Sequence, residues 1–195
     1  MTSLEHRLAV PLPKRMRTLA RDARGYPIPF IVVIDRTGNP QFTINHGDRL
    51  HDCRTKLLCS ICGKRLDDGM WFVGGSRCFV HDHGAFVDPP VHRECGVYAL
   101  QVCPFLAAPG YLKRIDDAKL PEGGLPEGMA MLCTEGMPPA QPERFGFGQA
   151  LRCRYVRPSP GEVLHVVDHW HYVEWWRFGE SINAPDAALV RELTA

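Results

Sequence analysis

The sequence has no excess of charge of either sign. Its 195 residues carry 23 Lys and Arg against 22 Asp and Glu, a net charge of +1. A chain that binds nucleic acid through its overall charge is therefore excluded, while a local basic face is not. No apolar run approaches the roughly 20 residues that a membrane-spanning helix needs. The N-terminal stretch Leu8-Ala9-Val10-Pro11-Leu12-Pro13 is too short and too broken by proline to serve as a secretory signal. A cytoplasmic location with no membrane contact is the expectation. The sequence also lacks a glycine-rich phosphate loop, a nucleophile elbow and paired carboxylates in a catalytic motif, so the common enzyme classes find no support. No internal repeat is visible.

What is present in quantity is proline, glycine and cysteine, at 17, 18 and 8 residues. The first two imply many loops. In a chain with no secretory signal, cysteines serve as metal ligands or reduced core residues more often than as disulfides. Cys59-Ser60-Ile61-Cys62-Gly63 is a knuckle: two cysteines separated by two residues turn both thiolates toward one cation, and the glycine permits the tight turn. A tetrahedron needs a second pair. His92 and Cys95 are three apart and follow Pro89-Pro90, so they fall on the first turn of a helix. We take Cys59, Cys62, His92 and Cys95 as the ligands of one zinc ion. Cys78 and His81 form a rival pair, buried free cysteines without metal are the plain alternative, and an iron–sulfur cluster drawing on Cys103 fits less well because a histidine suits zinc.

Knuckle, hairpin and helix in that order resemble the treble-clef zinc fold over about residues 57–105. The hairpin would be Met70–Val73 and Arg77–Val80 around Gly74-Gly75-Ser76. The knuckle, the Pro89–Cys95 segment and Val102-Cys103-Pro104-Phe105-Leu106 together are similar to a group of small uncharacterised bacterial and phage proteins. That resemblance implies a compact intracellular zinc protein and carries no mechanism.

The remaining pattern predicts an α+β fold: an antiparallel sheet with the zinc module and long Pro/Gly-rich loops. Residues 1–25 form a basic N-terminal arm, read as a solvated tail. Residues 26–106 hold a β-hairpin, a helix and the zinc module. Residues 107–149 form a wrapping loop or linker, pinned by Tyr111, Leu112, Ile115, Met129, Met131 and Leu132. Residues 150–195 form a β segment packing on the same domain. Phe30–Ile34 and Gln41–Asn45 are the two strands of the hairpin, the first well buried. Asp48 caps a helix with Leu50, Cys53 and Leu57 on its inner face. Pro104 ends the helix that begins near His92. Leu151–Arg157 alternates, with Arg152, Arg154 and Arg157 on a wet face, and Val163–Val167 and Trp170–Trp176 read as two strands. The strands on either side of the zinc module are expected to share one sheet. Asp186–Leu193 reads as a short helix capped by Asp186.

Three constellations bear on function. His81-Asp82-His83 inside a hairpin resembles the endonucleases built from a hairpin and helix around one divalent cation. The resemblance makes a histidine the general base and Asp82 a metal ligand, but the helix after Cys95 offers Gly96, Val97 and Tyr98 where that family supplies a further polar residue. His165, Asp168, His169 and His171 sit among Trp170, Tyr172, Trp175 and Trp176; the cluster is a metal site, an aromatic core, or a partner surface where the rings are exposed. Arg54, Lys56, Lys64, Arg65, Arg77 and Arg93 lie near the knuckle and offer a basic patch for nucleic-acid phosphates. The reading favoured overall is a zinc-stabilised binding or regulatory module that contacts nucleic acid or a protein, with the metal-dependent endonuclease as its alternative.

Overall fold

A computed structural model of the chain describes residues 4–80, 84–109, 130–131, 141–158 and 163–194. In chain order the elements are α1 (Leu4–Leu8), β1 (Val32–Ile34), β2 (Pro40–Asn45), α2 (Gly47–Lys56), β3 (Met70–Gly75), α3 (Arg77–Val80), β4 (Ala85–Phe86), α4 (Arg93–Val102), α5 (Pro104–Ala107), β5 (Ala130–Met131), β6 (Phe145–Val156), β7 (Leu164–Arg177), β8 (Glu180–Ile182) and α6 (Ala187–Thr194). A single 3-10 turn covers Lys14–Met16. None of the described helices is long and apolar enough to cross a membrane.

The chain is α+β, and its strands form two antiparallel sheets rather than the one expected. The β1–β2 hairpin forms as its alternation predicts, with Val32 and Val33 buried and β5 added to its far edge. The larger sheet runs β3-β6-β7-β4, with β8 alongside the end of β7. Its spine is the long pair β6 and β7, of 12 and 14 residues. The two strands read from Val163–Val167 and Trp170–Trp176 are one. Irregular register between Gln149 and Cys153 lets the pair bend without breaking it.

The first half of β6 shows no alternation of burial because both of its faces are covered. Phe145 and Phe147 point into the main core with Trp71, Tyr98, Leu100 and Trp176. Gly146 and Gly148 lie on the opposite face directly beneath rings. A Cβ on Gly146 would come within 2.3 Å of Phe79, and one on Gly148 within 2.7 Å of Trp170. Only glycine leaves room for those side chains to lie on the strand. Helix α4 covers the Phe147 face and α3 the other.

Arg77–Val80 is a helical turn, not the return strand of a local hairpin. Strand β3 stays in register with β6 as far as Gly75↔Phe145, so Gly74-Gly75 extends the strand instead of reversing it. Ser76 then accepts the first turns of α3 from Phe79 and Val80. Long-range pairing has displaced the local turn signal. The strand that does return beside β3 is a single residue, Val91, bonded to Trp71 in both directions at 2.8 and 3.2 Å.

Two helix ends also differ from expectation. His46, not Asp48, occupies the cap position of α2, and no side chain caps it there. Leu57 leaves the inner face; it adopts a left-handed conformation (φ 54°) that ends the helix, and it is exposed. Helix α4 does end before Pro104, because Cys103 is held extended, and the proline starts α5 in its first position. In α6 the Asp186 carbonyl accepts the first helical bond, from Val190. The proposed anchors Tyr111, Leu112, Ile115, Met129 and Leu132, and Cys133 beside them, lie outside the described backbone or side chains.

The basic N-terminal segment is not a solvated tail. Met16 is buried in the main core with Tyr26, and Val10, Leu12 and Leu19 pack around them.

Candidate metal centre

Cys59, Cys62, His92 and Cys95 are brought together and buried. Their ligand atoms all lie within 4.8 Å of one another, and no side chain of the four is more than 7% exposed. The knuckle supplies the first pair. Gly63 donates to the Cys59 carbonyl and Cys59 donates to that of Lys64, both at 2.8 Å, closing the turn. Gly63 has φ 71°, and a Cβ there would sit 2.7 Å from the Phe30 ring, so both conformation and space call for glycine. The knuckle is tied to the segment before α4: Ser60 donates its amide to Pro90 and its hydroxyl to Pro89. That link, with the Trp71–Val91 pair, places His92 at the cap of α4 and Cys95 one turn inside it.

The donor chemistry suits a cation. Two backbone amides, those of Cys62 and His92, point at Cys59 Sγ at 3.5 and 3.4 Å. His92 Nδ1 faces the sulfurs, 3.3 Å from Cys62 Sγ. Its Nε2 lies 2.9 Å from the Arg65 carbonyl oxygen, 3.2 Å from Arg15 Nη1 and 3.5 Å from Asp67. A proton on Nε2 donated to that carbonyl leaves Nδ1 free to coordinate. Arg15 closes the outer side, donating to Glu94 at 2.6 Å and to Asp67 at 2.9 Å.

The four groups also set one another's proton affinity. Burial pushes the Cys59 thiol up, but hydrogen bonds from Cys62, Cys95 and His92 outweigh it and bring it far below the usual thiol range. The hydrogen bond to Cys59 pushes Cys62 up to about 11, and those to Cys59 and Cys62 push Cys95 higher still. Burial pulls His92 down, yet its hydrogen bond to Cys59 leaves it raised. One negative sulfur is tolerated and its neighbours hold their protons. A divalent cation among them would let all three sulfurs ionise together.

Around this centre, residues that no local pattern marked contribute. Asp68 Oδ2 accepts the Arg93 amide at 3.0 Å, capping α4 from 25 residues away, and its main-chain carbonyl accepts the side chains of Trp71 and Gln149. Arg15 reaches the centre from the far N-terminal side. Pro89-Pro90 was the visible signal for the helix start; nothing in the spacing of Arg15, Asp67 or Asp68 pointed to their partners.

The other candidates separate. His81, Asp82 and His83 lie outside the described residues. Cys78 is packed among Phe72, Phe86 and Trp170, away from the metal centre. Cys53 is fully buried with Ile31 and Leu50, and burial raises its thiol to about 12, as a core cysteine requires. His165 is fully buried between Phe72 and Tyr155, Asp168 pairs with Arg154 at 2.9 Å, and His169 and His171 are exposed on β7. Among the described residues these histidines belong to no cluster of three or more side chains that could hold a metal. Of the readings open for the aromatic strand near the end of the chain, the core one fits: Trp175 and Trp176 are buried, Trp170 stacks on Phe79, and of the four rings Tyr172 alone is exposed, so they do not form the partner surface that exposed rings would have offered. The six basic residues do not form one free patch. Lys56 pairs with Asp52, Arg93 with Glu174 and over Trp71, and Arg54 donates to the Val163 carbonyl. Comparison with protein-family models, with curated proteins and with solved structures finds no match to this chain.

Proposed function

We propose that Cys59, Cys62, His92 and Cys95 hold one zinc ion whose role is structural, in a treble-clef-like module, and that the chain works as a binding module rather than an enzyme. The observation that carries this reading is the orientation of His92: its Nδ1 faces the three sulfurs while its Nε2 meets a backbone carbonyl. That is the arrangement in which an imidazole serves a metal. Three thiolates and one imidazole satisfy zinc's preference for four ligands of this softness, at about 2.3 Å for sulfur and about 2.0 Å for nitrogen. With four protein ligands the coordination sphere is closed, so no position is left for a reacting water.

The ion would join the knuckle, which leads from α2, to α4, which covers the large sheet. Binding energy at such a site is folding energy, of order 10 kcal/mol. The endonuclease alternative rests on residues outside the described structure, and no observation favours it. The test is elemental analysis of the purified full chain, together with incubation of plasmid and single-stranded DNA with magnesium or manganese. One zinc per chain and no cleavage support the structural reading. Cleavage that disappears in His81→Ala and His83→Ala replaces it with the nuclease.

A further inference from the structure

Strand β3 pairs with β6 only as far as Met70↔Ala150. Beyond that point β6 continues for six residues, Leu151–Val156, of which Arg152 to Val156 pair with β7 on one side. On its other side no strand lies alongside among the described residues. The register with β7 slips on either side of Arg152, so the regular part of this edge is Cys153–Val156, whose outward backbone donors and acceptors no described strand takes up. Leu151, at the start of this edge, is 69% exposed and Tyr155 46%.

The charges around the edge are unbalanced. Arg154 is neutralised by Asp168. Arg152 and Arg157 are exposed, and among the described residues they make no ion pair; Arg54, which reaches the same end of the strand pair through the Val163 carbonyl, has no described carboxylate within ion-pair distance. Tyr155 ties that end together, its hydroxyl donating to the Arg54 carbonyl at 3.4 Å. Charged side chains on an edge normally discourage pairing. Here the unpaired ones among the described residues are positive, so they select the partner instead. A second copy of the chain would set arginine beside arginine. A polynucleotide would meet the charge but offers no ladder of donors and acceptors to match the strand's own.

We propose that the Leu151–Val156 edge accepts an acidic extended segment of another protein as an added β-strand. Backbone bonds supply the pairing, Leu151 and Tyr155 give it apolar contact, and carboxylates about five residues apart, roughly 17 Å along a strand, meet Arg152 and Arg157. The surface is distinct from the metal centre and gives the binding-module reading a partner, and to that extent rests on it.

The test uses the full chain and a fluorescein-labelled ten-residue peptide of alternating valine and threonine with glutamate five residues apart, read by fluorescence anisotropy at low salt. Binding is expected, with loss of at least about tenfold in affinity when lysine replaces glutamate, when two central amides are N-methylated, or in an Arg152→Glu/Arg157→Glu variant whose metal content and melting temperature match the parent. No binding at about 1 mM peptide, a level that only the weakest contacts require, overturns the proposal. Equal binding of the N-methylated peptide, tighter binding of single-stranded DNA, or a dimer that the peptide does not dissociate overturns it as well. Metal content is measured on the same samples. One zinc without peptide binding sinks the edge alone, and peptide binding by a metal-free folded chain sinks the zinc alone.

Discussion

His92 Nε2 lies 2.9 Å from the carbonyl oxygen of Arg65, a residue that closes the knuckle carrying the first two ligands. The third ligand is therefore oriented by the loop that presents the other pair. Knuckle and helix cannot be positioned independently, so loss of one ligand should disturb both. Cys59→Ser and Cys95→Ser are expected to lose stoichiometric zinc and the cooperative thermal transition, measured by elemental analysis and calorimetry. Cys53→Ser, a substitution in the small core beside α2, should retain the metal while losing stability.

The clasp formed by Arg15 separates packing from charge. Its ion pairs to Asp67 and Glu94 are partly exposed, and such pairs contribute about 0–1 kcal/mol. Its neighbour Met16 is 2% exposed in the main core, where truncation to alanine costs about 2–5 kcal/mol. Denaturant unfolding should show Arg15→Ala near the parent and Met16→Ala well below it. The reverse order would mean the N-terminal segment is held by charge.

Gly96 follows the last ligand on α4, and a Cβ there would meet the Phe147 ring at 2.5 Å and Val91 at 3.1 Å. Helix propensity favours alanine by about 1 kcal/mol. Overpacking a filled core costs about 1–3 kcal/mol, and Phe147 is fully buried. Packing should win: Gly96→Ala is expected to lower the midpoint of urea unfolding, and a raised midpoint would show that the ring can yield.

How much of this was legible beforehand follows from the range of each interaction. The cluster of Cys59, Cys62, His92 and Cys95 was visible because each pair is local: a two-residue knuckle and a three-residue helical step. The β1–β2 hairpin and α4 were visible for the same reason. The helical turn at Arg77–Val80 was not, since the strand preceding it is extended by Phe145–Ala150, some seventy residues away. Arg15 and Asp68 escaped notice because their partners are fixed by the tertiary fold. Trp175 and Trp176 were ambiguous in sequence, because an aromatic strand reads alike whether it faces a core or a partner.

His165 gives the chain a pH dependence with a defined sign. It is enclosed by Phe72, Phe86 of the adjacent β4, Tyr155 and Arg54, and burial with the nearby guanidinium lowers its pKa to about 3. The unfolded chain takes up its proton near 6.5, so between about 6.5 and 3 the unfolded state binds more protons than the folded one. Stability from this group is complete above 6.5 and falls as pH drops through that window, by up to about 1.4 kcal/mol per unit. Urea unfolding at pH 7.5 and pH 5.0 should show a smaller loss in His165→Leu than in the parent. Comparing the two losses cancels protonation of the metal ligands, and equal losses would show that His165 is reached by water.

X-ray absorption at the zinc edge, on protein whose metal content has been counted, tests the central claim most directly. One zinc per chain with three sulfur neighbours near 2.3 Å and one imidazole nitrogen near 2.0 Å is the predicted shell. A metal-free folded protein, or a shell containing a water oxygen in place of one of the four side chains, would contradict it.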